Sequence, residues 1–521
     1  MQQVELVVAL LAIIAIVGAI SQKLRVALPI LLVLTGMAIS MAPNIPPVHL
    51  EPDAVFFIFL PPLLYLDAYN TSWRQLKDVG ELVTIQAVGL VLATVAAVAL
   101  AIHSVIPGIP WTAALAFGAI VSPTDAVAAS AIAKEVKLPK RLMEIIKGES
   151  LTNDATGLVA YQFAVAAVAT GAFAWQEAGT RFFYVAIGGI LAGLATGFFL
   201  VRLRTRLEHK PVEIIVSLLS PFIAYLTAEH LHVSSVLSVV TAGLMLGWRS
   251  PLMHGSSTRL HATANWETIA YLLNGFSFLL MGLQLRPILE TVKAYPAPQL
   301  ILWTATAALA PLAIRFIWTF TVAPIYNKLR KQPQPSWKHL FVFSWSGMRG
   351  VVSLAAALAL PITCSNGQPF PYRDLLIFLT IAVIASTLII QGITLPAIVK
   401  MFEFEPDAYN SAEAERKARL ALSREAVRRI DELARSEDID LDDPILHKYL
   451  NKYLERAVAN IGPESHNQNA ISFWQRVRGE AITAQRALLL KLRDSNEIQD
   501  DTFRQIQYEL DLEETKMDMP T

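Results

Sequence analysis

The sequence has a single cysteine, Cys364, among its 521 residues. Neither an internal disulfide framework nor a cysteine metal cluster can be built from it. Charge is also scarce: Asp, Glu, Lys and Arg make up 17% of the chain, against about 25% in ordinary soluble domains. No basic residue precedes the apolar stretch that starts at Val4. The positive n-region of a cleaved secretory signal is therefore missing, and the first segment reads as a retained membrane helix. The net charge is zero, which hides a split. Residues 1–402 carry 26 basic and 18 acidic side chains, whereas residues 403–521 carry 17 basic and 25 acidic ones. Two regions are expected: a membrane domain over 1–402 and a cytoplasmic helical tail over 403–521.

What the chain does have is long apolar runs, with 54% hydrophobic residues. A spanning helix needs about 20 of them in succession. Thirteen spans are expected, over 3–21, 24–42, 50–70, 80–106, 109–134, 143–173, 180–205, 210–231, 232–248, 262–290, 298–328, 337–361 and 371–402. The division between the eighth and ninth rests on a short turn near His230-Leu231-His232. Loop charges test the count. With the N-terminus outside, the inner loops carry 19 Lys and Arg residues, and the outer loops carry four, Arg181, Arg286, Lys293 and Arg373. That asymmetry fits thirteen helices, an outside N-terminus and a cytoplasmic tail. Within the tail, Ser411 to Glu437, Phe473 to Leu492 and Thr502 to Leu512 have helical apolar spacing. Pro444 and Ile461-Gly462-Pro463 punctuate them.

The informative residues are polar ones inside apolar runs. Such residues are expensive in a bilayer and mark ion or proton paths. In the third span Pro61 and Pro62 break the helical ladder, and Asp67 follows near the inner side. Asp67 is either an interfacial acid facing water or part of a site. In the fifth span, Ser122-Pro123-Thr124-Asp125 interrupts an alanine-rich helix. In the twelfth, Gly347-Met348-Arg349-Gly350 does the same. These two spans run in opposite directions, as an inverted pair of broken helices at a transporter's midplane site would. Broken helices expose partial charges. Asp125 could neutralise the positive ends and Arg349 the negative ones.

The sixth span opens with Gly148-Glu149-Ser150-Leu151-Thr152-Asn153-Asp154. Ser150 and Asp154 are four apart and share a face. Together they offer a hydroxyl and a carboxylate, both hard oxygen ligands for a small cation. Glu149 and Asn153 lie on a neighbouring face, rotated by about 100°. Glu149 needs a partner there, and so does Arg315, inside the eleventh span. A buried ion pair between them is the economical arrangement, since either alone would be costly.

These residues carry a resemblance. Gly148-Glu149-Ser150-Leu151 with Asn153-Asp154, Phe59-Leu60-Pro61-Pro62 with Asp67-Ala68, Pro123-Thr124-Asp125, and Gly347-Met348-Arg349-Gly350 together resemble the NhaP/NHE sodium–proton exchanger family. The likeness covers the whole membrane region in order. The Asn-Asp pair is similar to the electroneutral branch. The resemblance implies an all-α, polytopic antiporter fold of about thirteen helices, with inverted repeats and crossing interrupted helices, in a homodimer. It implies that Asp154 alternates between proton and cation, that Asp125, Ser150 and the Thr124 backbone help to ligate the ion, and that Asn153 supports the site. Asp67 stands where the family has an acid near the ion, and Glu149 and Arg315 match a structural ion pair. The chain departs from many relatives at Ala126, where they have proline.

The expected activity is therefore exchange of Na+ for H+, with Li+ or K+ as further cargo and K+/H+ exchange as an alternative. A cation channel would also use midplane acids but needs neither proton coupling nor an inverted broken pair. An enzyme is not expected. The Gly-x-Gly-Asp and Tyr-Asp elements of an intramembrane aspartyl protease are absent, and no midmembrane histidine pairs with Ser150. No cofactor beyond the transported ions and no nucleic-acid partner is implied. The expected location is the cell membrane, in contact with lipid.

Overall fold

The computed structural model describes residues 2–24, 26–42, 52–71, 85–125, 129, 138, 140–170, 175–207, 209–253, 256–364, 367–402, 404, 411–436 and 468–518. The regular elements among them are helices, apart from one isolated bridge between Thr363 and Pro369. In the membrane region they are α1 (Gln2–Leu24), α2 (Leu28–Ser40), α3 (Pro52–Asn70), α4 (Val91–Val105), α5 (Trp111–Val121), α6 (Lys140–Thr170), α7 (Trp175–Arg204), α8 (Lys210–His230), α9 (Ser235–Met253), α10 (Ser256–Leu283), α11 (Leu285–Val292), α12 (Ala297–Leu329), α13 (Trp337–Trp345), α14 (Val351–Leu358), α15 (Arg373–Ser386) and α16 (Gly392–Phe402). Each of the thirteen expected spans has a helical counterpart in this order. Seven segments, among the described residues, are by themselves long and apolar enough to cross a bilayer.

Local chemistry explains the boundaries. The chain between α8 and α9 turns at His232, whose φ of 54° is left-handed. The turn is closed by the Val233 amide donating to the Ala228 carbonyl at 3.0 Å. The fifth span ends its helix at Val121, one residue before Ser122-Pro123. Proline clashes with a helical residue before it and lacks the amide that a continued ladder needs. The twelfth span divides into α13 and α14, with Ser346 to Gly350 between them. The continuation of the fifth span beyond Asp125, including Ala126, lies outside the described residues. So do Pro444 and Ile461-Gly462-Pro463 in the tail.

Contacts divide the chain into two compact units. The first holds Met1–Glu208, Ile215–Met253 and Trp266–Pro406; the second holds His209–Ile214, His254–Asn265 and Asp407–Thr521. The second unit is thus larger than residues 403–521 alone, because it also takes in the first residues of α8 and α10. The first unit packs through small residues, which let helix backbones touch where lipid supplies no hydrophobic drive. A Cβ at Gly36 in α2 would overlap the Leu279 carbonyl of α10, and one at Gly282 would overlap the Val33 carbonyl.

The second unit contains α17 (Ser411–Ser436), α18 (Gln468–Asp494) and α19 (Asp500–Asp518). Their apolar seam joins Ala418 and Leu422 to Leu489, Leu492, Ile498, Phe503, Ile506 and Leu510. Asp511 is buried on this seam's flank. It accepts from Arg486 at 2.6 Å and from Arg259 Nε at 2.8 Å. Arg259 is a buried structural partner of the tail helix α19.

Candidate functional site

The site is built where α5 ends and where α13 gives way to α14. The two breaks are joined by backbone and side-chain hydrogen bonds. The Asp125 amide donates to the Met348 carbonyl at 2.8 Å. Arg349 Nη1 donates to the Ser122 and Pro123 carbonyls at 2.7 and 3.0 Å. Those carbonyls belong to the exposed, negative end of α5, so the guanidinium caps the end that its own residues left open. The opposite pairing is present too. A Cβ at Gly350 would overlap Asp125 Oδ2, so the Asp125 carboxylate sits against the first turn of α14. That turn carries the positive end of a helix dipole. Glycine is needed at position 350 because any side chain would displace this carboxylate.

Helix α6 packs across the break. Ser150 Oγ donates to the Thr124 carbonyl at 2.7 Å. Asn153 Nδ2 donates to Thr124 Oγ1 at 2.7 Å and to Glu149 Oε1 at 3.2 Å. Its Oδ1 accepts from the Thr124 amide at 3.3 Å. The amide of Asn153 is thus fully engaged in pinning the loosened segment to α6. Glu149 and Arg315 form a two-pronged ion pair at 2.5 and 2.7 Å, with 1% and 2% exposure. Arg315 Nη2 also donates to the Phe343 carbonyl near the end of α13, at 3.2 Å. In a buried pair with this geometry each charge is met by the other, which offsets the cost of burying either.

The remaining polar residues surround a cavity of about 30 Å³. One water needs roughly 10–15 Å³, so this space admits a small cation with a water. Asp67, Thr124, Asp125, Ser150 and Asp154 line it, with Leu63, Pro123 and the start of α14. Among the described residues no lysine or arginine lines it. Asp154 is buried, Asp125 half-buried, and Asp67 exposed, which marks the open side of the cavity. Asn153, Glu149, Arg315 and Arg349 do not line it.

The structure therefore brings together every residue singled out from the sequence, in two groups. Asp67, Thr124, Asp125, Ser150 and Asp154 meet at the cavity; Glu149, Asn153, Arg315 and Arg349 form the bonded framework around it. Two cavity residues went unnoticed in the sequence: Asn274 on α10 and Ser353 on α14. Asn274 had a signal, an amide in the apolar run that ends α10. Ser353 had little, since serine is ordinary in a small-residue helix.

The family profile described as "Sodium/hydrogen exchanger, transmembrane" matches residues 7–401. The chain is 34% identical over 526 residues to an uncharacterized Na(+)/H(+) exchanger of Mycobacterium tuberculosis, covering 98% of this chain and 95% of that one. It is 33% identical over 515 residues to a Bacillus pumilus protein named as a sodium, potassium, lithium and rubidium/H(+) antiporter, covering 95% of this chain and 75% of that one. Among solved structures, the sodium proton antiporter MjNhaP1 of Methanocaldococcus jannaschii at pH 8 superposes with a TM-score of 0.62 at 19% identity, covering 77% of this chain and 98% of that one. That last likeness is one of fold: an all-helical, polytopic membrane protein.

Proposed function

Because this chain belongs to the sodium/hydrogen exchanger family, a family of membrane transporters rather than enzymes, we propose that it exchanges Na+ for H+ with both ions competing for Asp154. One observation carries the reading: a buried carboxylate in a cavity lined, among the described residues, by two further acids and by no basic side chain. A bare carboxylate in such surroundings is costly. One proton or one cation offsets that cost, and only one at a time fits the same oxygens. Competition then couples the two fluxes without a separate gate.

In this reading Asp154 exchanges the proton and the cation, and Asp125, Ser150 and the Thr124 backbone supply oxygen ligands. Asp67 acts at the open side through water. Asn153 and the Glu149–Arg315 pair hold α6 against the break, and Arg349 neutralises the end of α5. A single exchanging carboxylate makes the cycle one for one and electroneutral. The transport domain is residues 1–402 and the tail 403–521, with the N-terminus outside and the tail cytoplasmic; the excess of basic residues in the inner loops supports that orientation. Asp67 follows Pro61 and Pro62 at the inner end of α3, so the cavity opens inward. The family resemblance supports a homodimer. The name of the Bacillus relative favours a second reading of the cargo, in which K+ or Li+ shares the Na+ site.

The test is transport by purified protein in acid-loaded liposomes. External Na+ is expected to drive proton release, at a rate unchanged by an imposed membrane potential. A rate that follows the potential would overturn the electroneutral cycle. Absence of any cation-driven proton movement would overturn the reading of the site.

A further inference from the structure

Helical hydroxyls in the membrane unit commonly satisfy themselves by bonding back along the helix. Ser277, Ser344 and Thr380 each donate to the carbonyl four residues earlier, at 2.8 Å. Such back-bonding needs a helical carbonyl at that position. Ser353 has none. Four residues before it stands Arg349, in the break ahead of α14. Ser353 is 1% exposed, and its Oγ has no hydrogen-bond partner among the described residues. This hydroxyl is not sealed in apolar packing, for it lines the cavity that holds Asp154 and Asp125. Gly350 immediately precedes α14, three residues before Ser353, and it is against Gly350 that the Asp125 carboxylate rests.

We propose that Ser353 Oγ is a further oxygen ligand of the transported cation, supplied by the second interrupted helix. The assignment rests on the reading of the cavity as the cation site. A hydroxyl carries two lone pairs and one proton, and its oxygen is a hard ligand suited to an alkali cation. Ser150 Oγ donates to the Thr124 carbonyl and Thr124 Oγ1 accepts from Asn153, so these groups offer a cation only their remaining lone pairs. Ser353 holds its bonding capacity in reserve. A proton is satisfied by one carboxylate oxygen, whereas a dehydrated cation needs several oxygens around it. An added neutral oxygen therefore favours the cation and does little for the proton. Ser353 becomes a residue that sets cation affinity and selectivity, and it brings the second broken helix into the coordination shell beside the first.

The experiment is Na+- and Li+-driven proton exchange in liposomes by the full chain, with Ser353→Ala, Ser353→Thr and Ser353→Cys. Ser353→Ala is expected to raise half-saturating Na+ about tenfold, equivalent to about 1.4 kcal/mol, and to change the Na+-to-Li+ ratio of half-saturating concentrations. The maximal rate is expected to move less than the half-saturating concentration. Ser353→Cys, similar in size with a softer ligand atom, is expected to weaken Na+ in the same direction. Ser353→Thr keeps the hydroxyl and is expected to stay near the parent. The assignment is overturned if Ala and Cys leave Na+ and Li+ half-saturation unchanged, if only the maximal rate falls, or if Thr is as impaired as Ala. Direct 22Na+ binding to the detergent-purified variants applies the same criteria if a variant reconstitutes poorly. A parent-like Ser353→Ala alongside an inactive Asp154→Asn would overturn the Ser353 assignment alone; exchange surviving in Asp154→Asn would overturn the site reading beneath it.

Discussion

Helix α6 carries two acids on different faces, and the two are solvated by opposite means. Glu149 and Asp154 are buried to similar degree, at 1% and 5% exposure. Glu149 has a fixed counter-charge in Arg315 and a further donor in Asn153. Asp154 faces a cavity whose other ionisable groups, among the described residues, are Asp67 and Asp125. The difference teaches that burial does not by itself mark a transport site. On the proposed reading, a buried acid with a fixed counter-charge is a strut, whereas one that faces a cavity holds an exchangeable ion.

The comparison breaks most easily at Asp154. Asp154→Asn keeps the shape but removes the exchangeable charge. Proton movement driven by Na+ is expected to fall to the level of protein-free vesicles, while the thermal melt of the purified protein shows a folded chain. Exchange that persisted would put the exchanging group elsewhere. The strut side is expected to respond in stability instead. Glu149→Gln or Arg315→Met leaves one buried charge alone and costs about 3–5 kcal/mol, read as a lowered melting temperature. The double variant Glu149→Leu with Arg315→Met is expected to recover most of that loss, which a transport role for either residue would not predict.

Asn153 sharpens the contrast. In Asn153→Asp the donor to Thr124 Oγ1 and to Glu149 Oε1 is lost and a second carboxylate is set beside Glu149. A loss of about 1–3 kcal/mol is expected in thermal melts. Because Asn153 does not line the cavity, the surviving protein is expected to remain insensitive to voltage in liposomes. The smallest effect is far from the site, in α17. A hydrogen bond from Arg428, opposed by slight desolvation, holds the Glu425 carboxyl below its usual range. A lowered folded-state pKa stabilises above the ordinary glutamate value of about 4.3 and is lost as pH falls through the lowered one. The pair is exposed, so Glu425→Gln is expected to shift the melting temperature slightly at neutral pH and not at all below that range.

The parts of this design that were legible in the sequence are the expensive ones. An arginine inside an apolar run, such as Arg315, and a glutamate on the wrong face of α6 demand each other, and hydropathy alone separates the spans that carry them. The broken helices announce themselves through Pro123 and through the glycines around Arg349. What stayed hidden depends on distance in the chain or on absence. Asp511 and Arg259 lie 252 residues apart, and nothing in either local pattern names the other. The π-helical turns at Ile85–Leu90 and Thr387–Gln391 leave hydropathy untouched. Ser353 is informative only because the residue four before it, Arg349, lies in the break rather than in a helix, and that is a property of the fold.

The bonds between the two breaks also set an order of assembly. Arg349 and Ser122 are 227 residues apart, so the end of α5 is among the last features of the membrane unit to be completed. Contacts of such long separation form late, because the intervening chain must first be arranged. With synthesis at roughly 5–20 residues per second, roughly 10–40 s separate the emergence of Asp154 from that of Arg349. During that interval the carbonyls at the end of α5 stand without the guanidinium that caps them. A chain cut before the twelfth span therefore holds Asp67, Asp125 and Asp154 but lacks both the arginine that caps α5 and the α14 wall of the cavity.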